Sequence, residues 1–189
     1  LAWVLTEYQI EFERWPQAEE TLVLGTLPYS FKKMYGFRIY RGRDENAGTL
    51  FEGKGKFVLI DINTKRLVKP SEDILSLFTD AKKEPEVLPF EKWRLEKKEL
   101  LMRRGAGISH EYIDVNGHLN NAHSVTLAYK VLDPAHVGKR EIKSIYVKYR
   151  KEAFRNDEVT ISLYRETDDT YGVVIERDEA IISELLVKY

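Results

Sequence analysis

Apolar residues recur at alternate positions in short runs along the first third of the chain, the spacing of strands that bury one face. Val4, Tyr8, Ile10 and Phe12 mark the first run, Trp15-Pro16 interrupts it, and residues 21–26, 35–40 and 50–61 supply three more. Asp44-Glu45-Asn46-Ala47-Gly48 has the composition of a turn, so consecutive strands are expected to form an antiparallel meander. Beyond Lys69-Pro70, Ser71 is placed to cap a short helix in which Ile74, Leu75 and Phe78 share a face. From 80 to 98 the chain carries many charges, two prolines and an isolated Trp93. That stretch reads as a connector crossing the surface, and it divides the sequence into an N-terminal part, 1–80, a connector, 81–99, and a C-terminal part, 100–189.

The second part opens with a strand over 100–108, passes through a polar stretch and takes helical periodicity over 121–132. Val125, Ala128, Tyr129 and Leu132 fall at i, i+3, i+4 and i+7 and predict the buried side of that helix, which Asp133-Pro134 ends. Strands follow over 141–150, where Ile145, Val147 and Tyr149 alternate, and over 158–165, 171–177 and 179–188. Thr167-Asp168-Asp169 and Arg177-Asp178 supply hairpin turns between them.

The two halves repeat one another. Ile10, Phe12, Leu22 and Leu24 fall on Val147, Tyr149, Val159 and Ile161 at one offset, and a shift of one residue places Tyr35-Gly36 on Tyr171-Gly172 and Arg41 on Arg177. Each half holds the same four-strand succession, but only the second has a strand and helix before it. The first is expected to lack about 40 residues of opening strand and helix. With Leu1 already inside a strand, the expectation is a truncated N-terminus and an apolar sheet surface left exposed in that half. A long helix on a curved antiparallel sheet, twice over, gives an α+β chain on the plan of a double hotdog.

Composition narrows the function. The chain of 189 residues is 43% hydrophobic and 12% aromatic, with 30 basic against 31 acidic side chains. It is long enough to bury a core, and its net charge of -1 carries no basic excess that would point to nucleic acid. No apolar run approaches the roughly 18 residues of a membrane span and no signal peptide is visible, so the cytoplasm is the expected compartment. The absence of cysteine removes disulfides, thiolate metal sites and a cysteine nucleophile together.

The densest chemistry lies in Asp114-Val115-Asn116-Gly117-His118-Leu119-Asn120-Asn121. Asp114, Asn116 and His118 alternate, which in an extended segment sends their side chains the same way. An isolated Asp-x-Asn-x-His is otherwise as typical of turns and caps as of catalysis.

This octapeptide resembles the catalytic loop of the acyl-acyl carrier protein thioesterases of bacteria and plant plastids. Tyr149-Arg150-Lys151-Glu152-Ala153 is similar to the strand end that carries that family's remaining catalytic carboxylate. Trp3-Val4-Leu5-Thr6, Arg14-Trp15-Pro16, Tyr29-Ser30-Phe31 and Tyr35-Gly36-Phe37-Arg38 resemble its first hotdog. The resemblance implies hydrolysis of a fatty acyl thioester on acyl carrier protein, releasing free fatty acid and ending chain elongation. It implies a cytoplasmic enzyme, or one of the plastid stroma in a plant, working without cofactor or metal. A homodimer is left open. By the same resemblance Asn116 would hold the carbonyl or water, His118 would exchange protons, Asp114 would orient its neighbours and Glu152 would activate the water. Asn120 and Asn121, at the helix entry, are substrate-binding candidates through a cap beside N–H groups that suit an oxyanion.

Many plant relatives place a cysteine directly after the glutamate, where this chain has Ala153. General-base catalysis is therefore favoured, with an acyl anhydride through Glu152 as the alternative. Glu152 is matched in the first half by Trp15, so that half is expected to be non-catalytic and to shape the acyl pocket. Strand parity opposes the assignment, because Glu152 alternates with Lys148 and Arg150 rather than with Val147 and Tyr149; a bulge or strand end near Lys151 must turn it inward. His110, His123 and His136 have no constellation of their own. Among several basic clusters, Lys148, Arg150, Lys151 and Arg155 lie beside the proposed site and are the first choice for docking the acidic carrier protein. Two other readings stand beside this one: a hotdog thioesterase acting on coenzyme A thioesters, and a catalytically silent acyl-binding protein.

Overall fold

The structure, a computed structural model of the 189-residue chain, describes residues 1–78, 89–132, 137–138 and 140–189. Two compact units divide it, Leu1–Lys92 and Trp93–Tyr189. Among the described residues no helix is long and apolar enough to cross a membrane.

The first unit contains β1 (Ala2–Phe12), β2 (Leu22–Lys32), β3 (Tyr35–Asp44) and β4 (Thr49–Ile60), followed by α1 (Glu72–Ser76). The strands are antiparallel in the order β2-β3-β4-β1. The predicted turn between β3 and β4 closes because Asp44 Oδ1 accepts from the N–H groups of Asn46 and Gly48 at 2.9 and 2.8 Å. Ser71 caps α1 by accepting from Ile74 N–H, and Phe78 then packs on Trp3 and Phe31. Leu24 on β2 is 68% exposed, whereas Ile161, its repeat counterpart, is wholly buried; Leu22, Val23 and Leu27 are exposed with it.

The second unit contains β5 (Glu99–Gly107), a 3-10 turn (His110–Tyr112), α2 (Asn121–Tyr129), β6 (Ser144–Tyr149), β7 (Glu158–Thr167), β8 (Thr170–Arg177) and β9 (Ala180–Lys188). The order β7-β8-β9-β6 reproduces β2-β3-β4-β1 strand for strand, and β5 adds to it beside β7. Tyr149 Oη donates to Asn121 O at 3.1 Å, so α2 lies on the face that Tyr149 shares with Val147, Leu185, Val173 and Ile175. These four aliphatic side chains are fully buried, as are Leu127, Ala128 and Val131.

Two expectations change. α2 ends at Tyr129 rather than 132, because the N–H groups of Lys130 and Val131 bond back only three residues and tighten the last turn. Within α2 the buried residues are Ser124, Leu127 and Ala128, Val131 and Leu132 just beyond it are buried too, and Tyr129 is exposed. Of the expected stripe Ala128 and Leu132 are buried and Val125 partly so, and Tyr129 is the member that faces out; Ala128 is common to both stripes, each of which satisfies a 3.6-residue period. The stop at Asp133-Pro134, His136 and most of the connector lie outside the described residues.

The described end of the connector does not merely cross the surface. Leu95 is buried with Tyr146, Tyr164, Val174 and Leu186, and Trp93 packs against the same cluster. The sheet of the second unit is therefore apolar on both faces, which is why Tyr146 and Leu186 are as buried as their neighbours along each strand. The buried Glu166 carboxylate holds this cover, accepting from Glu96 N–H and Lys97 N–H at 2.9 Å each. In the first unit the buried Gln9 amide does the same for Glu91, donating to its carbonyl at 2.8 Å and accepting from its N–H at 2.9 Å.

A Cβ at Gly172 would stand 2.7 Å from Leu95 Cδ2 and 3.2 Å from Glu166 Oε1. Gly172→Ala is expected to cost about 1–3 kcal/mol by overpacking this cover, measured by urea unfolding; an unchanged midpoint would show that Leu95 gives way freely. The β8–β9 turn carries Asp178 and Glu179 at φ 48° and 63°. Glycine adopts that region without penalty, so Glu179→Gly is expected to stabilise by about 1 kcal/mol in the same measurement.

Candidate active site

The loop between β5 and α2 is built by its own side chains. Asp114 N–H donates to His118 O at 2.8 Å, Gly117 N–H returns to Asp114 O at 3.0 Å, and Ile113 bridges to Leu119. Asp114 Oδ1 accepts from Asn116 N–H at 2.8 Å and from His118 N–H at 3.3 Å. The segment is a tight hairpin, the turn alternative for Asp-x-Asn-x-His, because an aspartate two residues before a free N–H closes a turn and Gly117 supplies the required φ of +81°. Val115 at its tip is fully exposed.

His118 leaves this hairpin and meets the chain beyond β6. His118 bridges to Phe154 and Leu119 N–H donates to Ala153 O at 2.7 Å, so residues 118–119 run antiparallel to 153–154. The parity conflict at Glu152 resolves one step earlier. β6 ends at Tyr149, and the N–H groups of Arg150 and Lys151 both converge on Ile182 O, at 2.8 and 3.3 Å. Two residues there oppose one, the pattern of a bulge, and the side-chain alternation is reset. Glu152 Oε1 comes to rest 3.6 Å from His118 Nδ1, with both side chains partly open to solvent.

The structure thus brings His118 and Glu152 together, and brings Asp114 and Asn116 together within the loop, where Asn116 Nδ2 lies 3.5 Å from Asp114 Oδ2. Asn120 caps α2, its Oδ1 accepting from Ala122 N–H at 2.9 Å. Asn121 follows as the first helical residue, its carbonyl tied to Tyr149 Oη. His123 packs on the Tyr112 ring, with ring centroids 4.9 Å apart, and Lys130 lies 5.3 Å from the same ring. Its Nδ1 is buried without a hydrogen-bond partner among the described residues. His110 is exposed. No group of three His, Asp or Glu converges at metal-ligand spacing among the described residues.

The four basic residues proposed for docking separate into two kinds. Lys148 Nζ donates to Trp93 O and lies 4.1 Å from the centroid of the Trp93 indole, and Arg150 pairs with Glu184 at 2.8 Å. Both have partners within the second unit, although the Arg150 side chain remains half exposed. Lys151 and Arg155 are exposed. Sequence reasoning passed over Phe154, Asp157 and Arg177. Phe154 follows Glu152 at i+2, the one signal that it shares a side with the carboxylate, and its ring stands 5.2 Å from that of His118 at 77°.

The first unit holds a cavity of about 190 Å³ lined by Trp3, Pro28, Phe31, Phe37, Phe57 and Phe78, with Arg38 and Gly36 completing it. Nearly every lining group is aromatic or apolar, which suits a hydrocarbon chain.

Residues 1–78 match the family model described as the acyl-ACP thioesterase N-terminal domain, and residues 105–184 match that of its C-terminal domain. A comparison with curated protein sequences gives no match. Among solved structures the chain is similar to a protein described as an oleoyl thioesterase from Lactobacillus plantarum, with a TM-score of 0.86 and 21% identity, covering 99% of this chain and 75% of that one. It is also similar to a 12:0-ACP thioesterase from Umbellularia californica (TM-score 0.82, 17% identity, 99% and 74% covered). An acyl-ACP thioesterase from Bacteroides thetaiotaomicron gives a TM-score of 0.80 at 16% identity, with 98% and 75% covered. At these identities the likeness shows a fold, that of hotdog-type thioesterases.

A Cβ at Gly117 would meet nothing within 4 Å, so substitution there tests backbone conformation alone. Gly117→Ala is expected to destabilise by about 1–2 kcal/mol and Gly117→Asn by less, because asparagine tolerates the left-handed region. Thermal unfolding of the two variants reads the difference, and equal losses would contradict the hairpin.

Proposed function

The chain belongs to the acyl-ACP thioesterase family and hydrolyses fatty acyl thioesters of acyl carrier protein to free fatty acid, and we propose that Glu152 and His118 carry the reaction. The observation supporting this is the 3.6 Å approach of Glu152 Oε1 to His118 Nδ1 beside the capped N-terminus of α2. Glu152 draws a proton from a water molecule, whose oxygen bonds to the thioester carbonyl carbon. Negative charge collects on the carbonyl oxygen, where the Asn116 amide is the donor, the N–H groups of Ala122 and His123 at the start of α2 being taken by Asn120. The carbon–sulfur bond then breaks and the thiolate takes the Nε2 proton of His118, while Nδ1, turned to Glu152, receives the proton that Glu152 drew from water, so that both groups return to their starting state. Asp114 keeps the loop closed, and so positions Asn116 and His118 without meeting the substrate. Asn120 serves through its cap.

The N-terminal unit is assigned the acyl chain, on its aromatic cavity, and the C-terminal unit, 100–189, the chemistry. The boundary between the two units falls at Lys92, inside the expected connector, 81–99, whose described residues divide between the two. In this reading the enzyme works where acyl carrier protein is found, in the cytoplasm or the plastid stroma. Docking of the acidic carrier protein falls to Lys151 and Arg155, which flank Glu152 and Phe154 in sequence and are exposed.

Glu152→Gln and His118→Ala are each expected to lower kcat on acyl-acyl carrier protein by about 10²–10⁴-fold, and hydrolysis surviving both changes would remove the site. The pair Lys151→Glu and Arg155→Glu is expected to raise KM for the carrier-protein substrate by about tenfold while leaving the coenzyme A thioester untouched. Equal loss on both carriers would reassign these cations, and a wild-type preference for coenzyme A would favour the acyl-CoA reading.

A further inference from the structure

Phe154 is 41% exposed, yet it is held on every side that the fold offers. Its N–H donates to Asp157 Oδ2 at 2.7 Å, and Asp157 N–H returns to Phe154 O at 3.2 Å, closing a turn in which Asn156 takes φ 69°. Asp157 also pairs with Arg177 at the end of β8, and the Arg177 guanidinium lies 5.8 Å from the centre of the Phe154 ring. Behind the turn, the buried Ile108 donates to Asp157 O at 2.8 Å and accepts from Asn156 N–H at 2.9 Å. The other contact of the ring is the His118 imidazole, 5.2 Å away at 77°. A cation on one side and an imidazole on the other, with the backbone tied at both ends of the turn, leave the phenyl ring a fixed wall.

Arg177 repeats Arg41 of the first half, which pairs instead with Glu52, both largely exposed. The same position in the repeat thus closes a surface pair in one unit and supports an aromatic ring beside His118 in the other.

The geometry points to Phe154 as a positioning residue for His118, with Asp157 and Arg177 as its supports. This rests on the assignment of His118 above. The imidazole has two torsions to fix, and Glu152, 3.6 Å from Nδ1 and partly exposed, restrains only one edge of the ring. Phe154 stands edge-to-face against it, so the pair together hold the ring with Nδ1 towards Glu152 and Nε2 towards the reacting sulfur. The phenyl ring meets no reacting atom; it acts through the orientation of His118.

The test compares Phe154→Leu, Phe154→Tyr and Arg177→Gln in the full chain, alone and combined with His118→Ala, on an acyl-acyl carrier protein substrate. Phe154→Leu is expected to lower kcat about tenfold with KM within about twofold, Arg177→Gln to give a smaller loss, and Phe154→Tyr to keep the wild-type rate. In the His118→Ala background the leucine variant should cause no further loss, as coupling through a single group requires. A raised KM, or a loss that persists without His118, would instead put Phe154 in contact with substrate and overturn the proposal. A tyrosine variant as slow as the leucine variant would overturn it too. If His118→Ala keeps full activity, the catalytic assignment fails and the positioning claim is read directly from NMR relaxation of the His118 side chain. That ring should become mobile in Phe154→Leu and stay rigid in Phe154→Tyr, and a ring equally rigid in both would sink the claim.

Discussion

Two backbone N–H groups, those of Arg150 and Lys151, share one carbonyl at Ile182, and the position of Glu152 depends on that sharing. Without the extra residue the chain beyond β6 would continue its alternation and carry Glu152 to the side of Lys148, where Trp93 and Leu95 cover the sheet. The bulge weakens one rung of the ladder and in return aims a carboxylate at an imidazole. Bulges at sheet ends commonly serve this purpose, since they change the direction of one side chain while leaving the rest of the register intact.

The loop that supplies His118 is equally self-contained. Its turn is closed by the Asp114 carboxylate and by glycine at a left-handed position, so its shape does not wait on a partner element. Two locally determined pieces, a capped hairpin and a bulged strand end, are then joined by the bonds of residues 118–119 to 153–154. Each piece is held largely by its own hydrogen bonds, so joining them fixes the approach of His118 to Glu152 with few further contacts.

Much of this could be read from residue types alone. The strands of both halves were legible because alternation of period two survives wherever one face meets a core, and the repeat at Ile10 and Val147 reported a shared topology that the strand orders reproduce. The turn at Asp44 and the caps at Ser71 and Asn120 were legible because short polar side chains act on their own backbone. What failed depended on contacts distant in sequence. Nothing local to 121–132 says which of two apolar stripes meets β8 and β9. Nothing in an isolated Trp93 or in Leu95 announces a second cover for the sheet, although Gly172, small where Leu95 crosses it, was a mark left by that contact. Nor do the partners of Lys148 and Arg150 show locally: Trp93 and Glu184 lie 55 and 34 residues away.

Ala153 is 1% exposed, and as the neighbour of Glu152 in an extended stretch it points to the opposite side. A cysteine placed there would enter the protein interior as a small apolar plug, on the side of the chain away from Glu152 and His118. Exchange of alanine for cysteine at this position is then first of all a matter of filling volume in the interior.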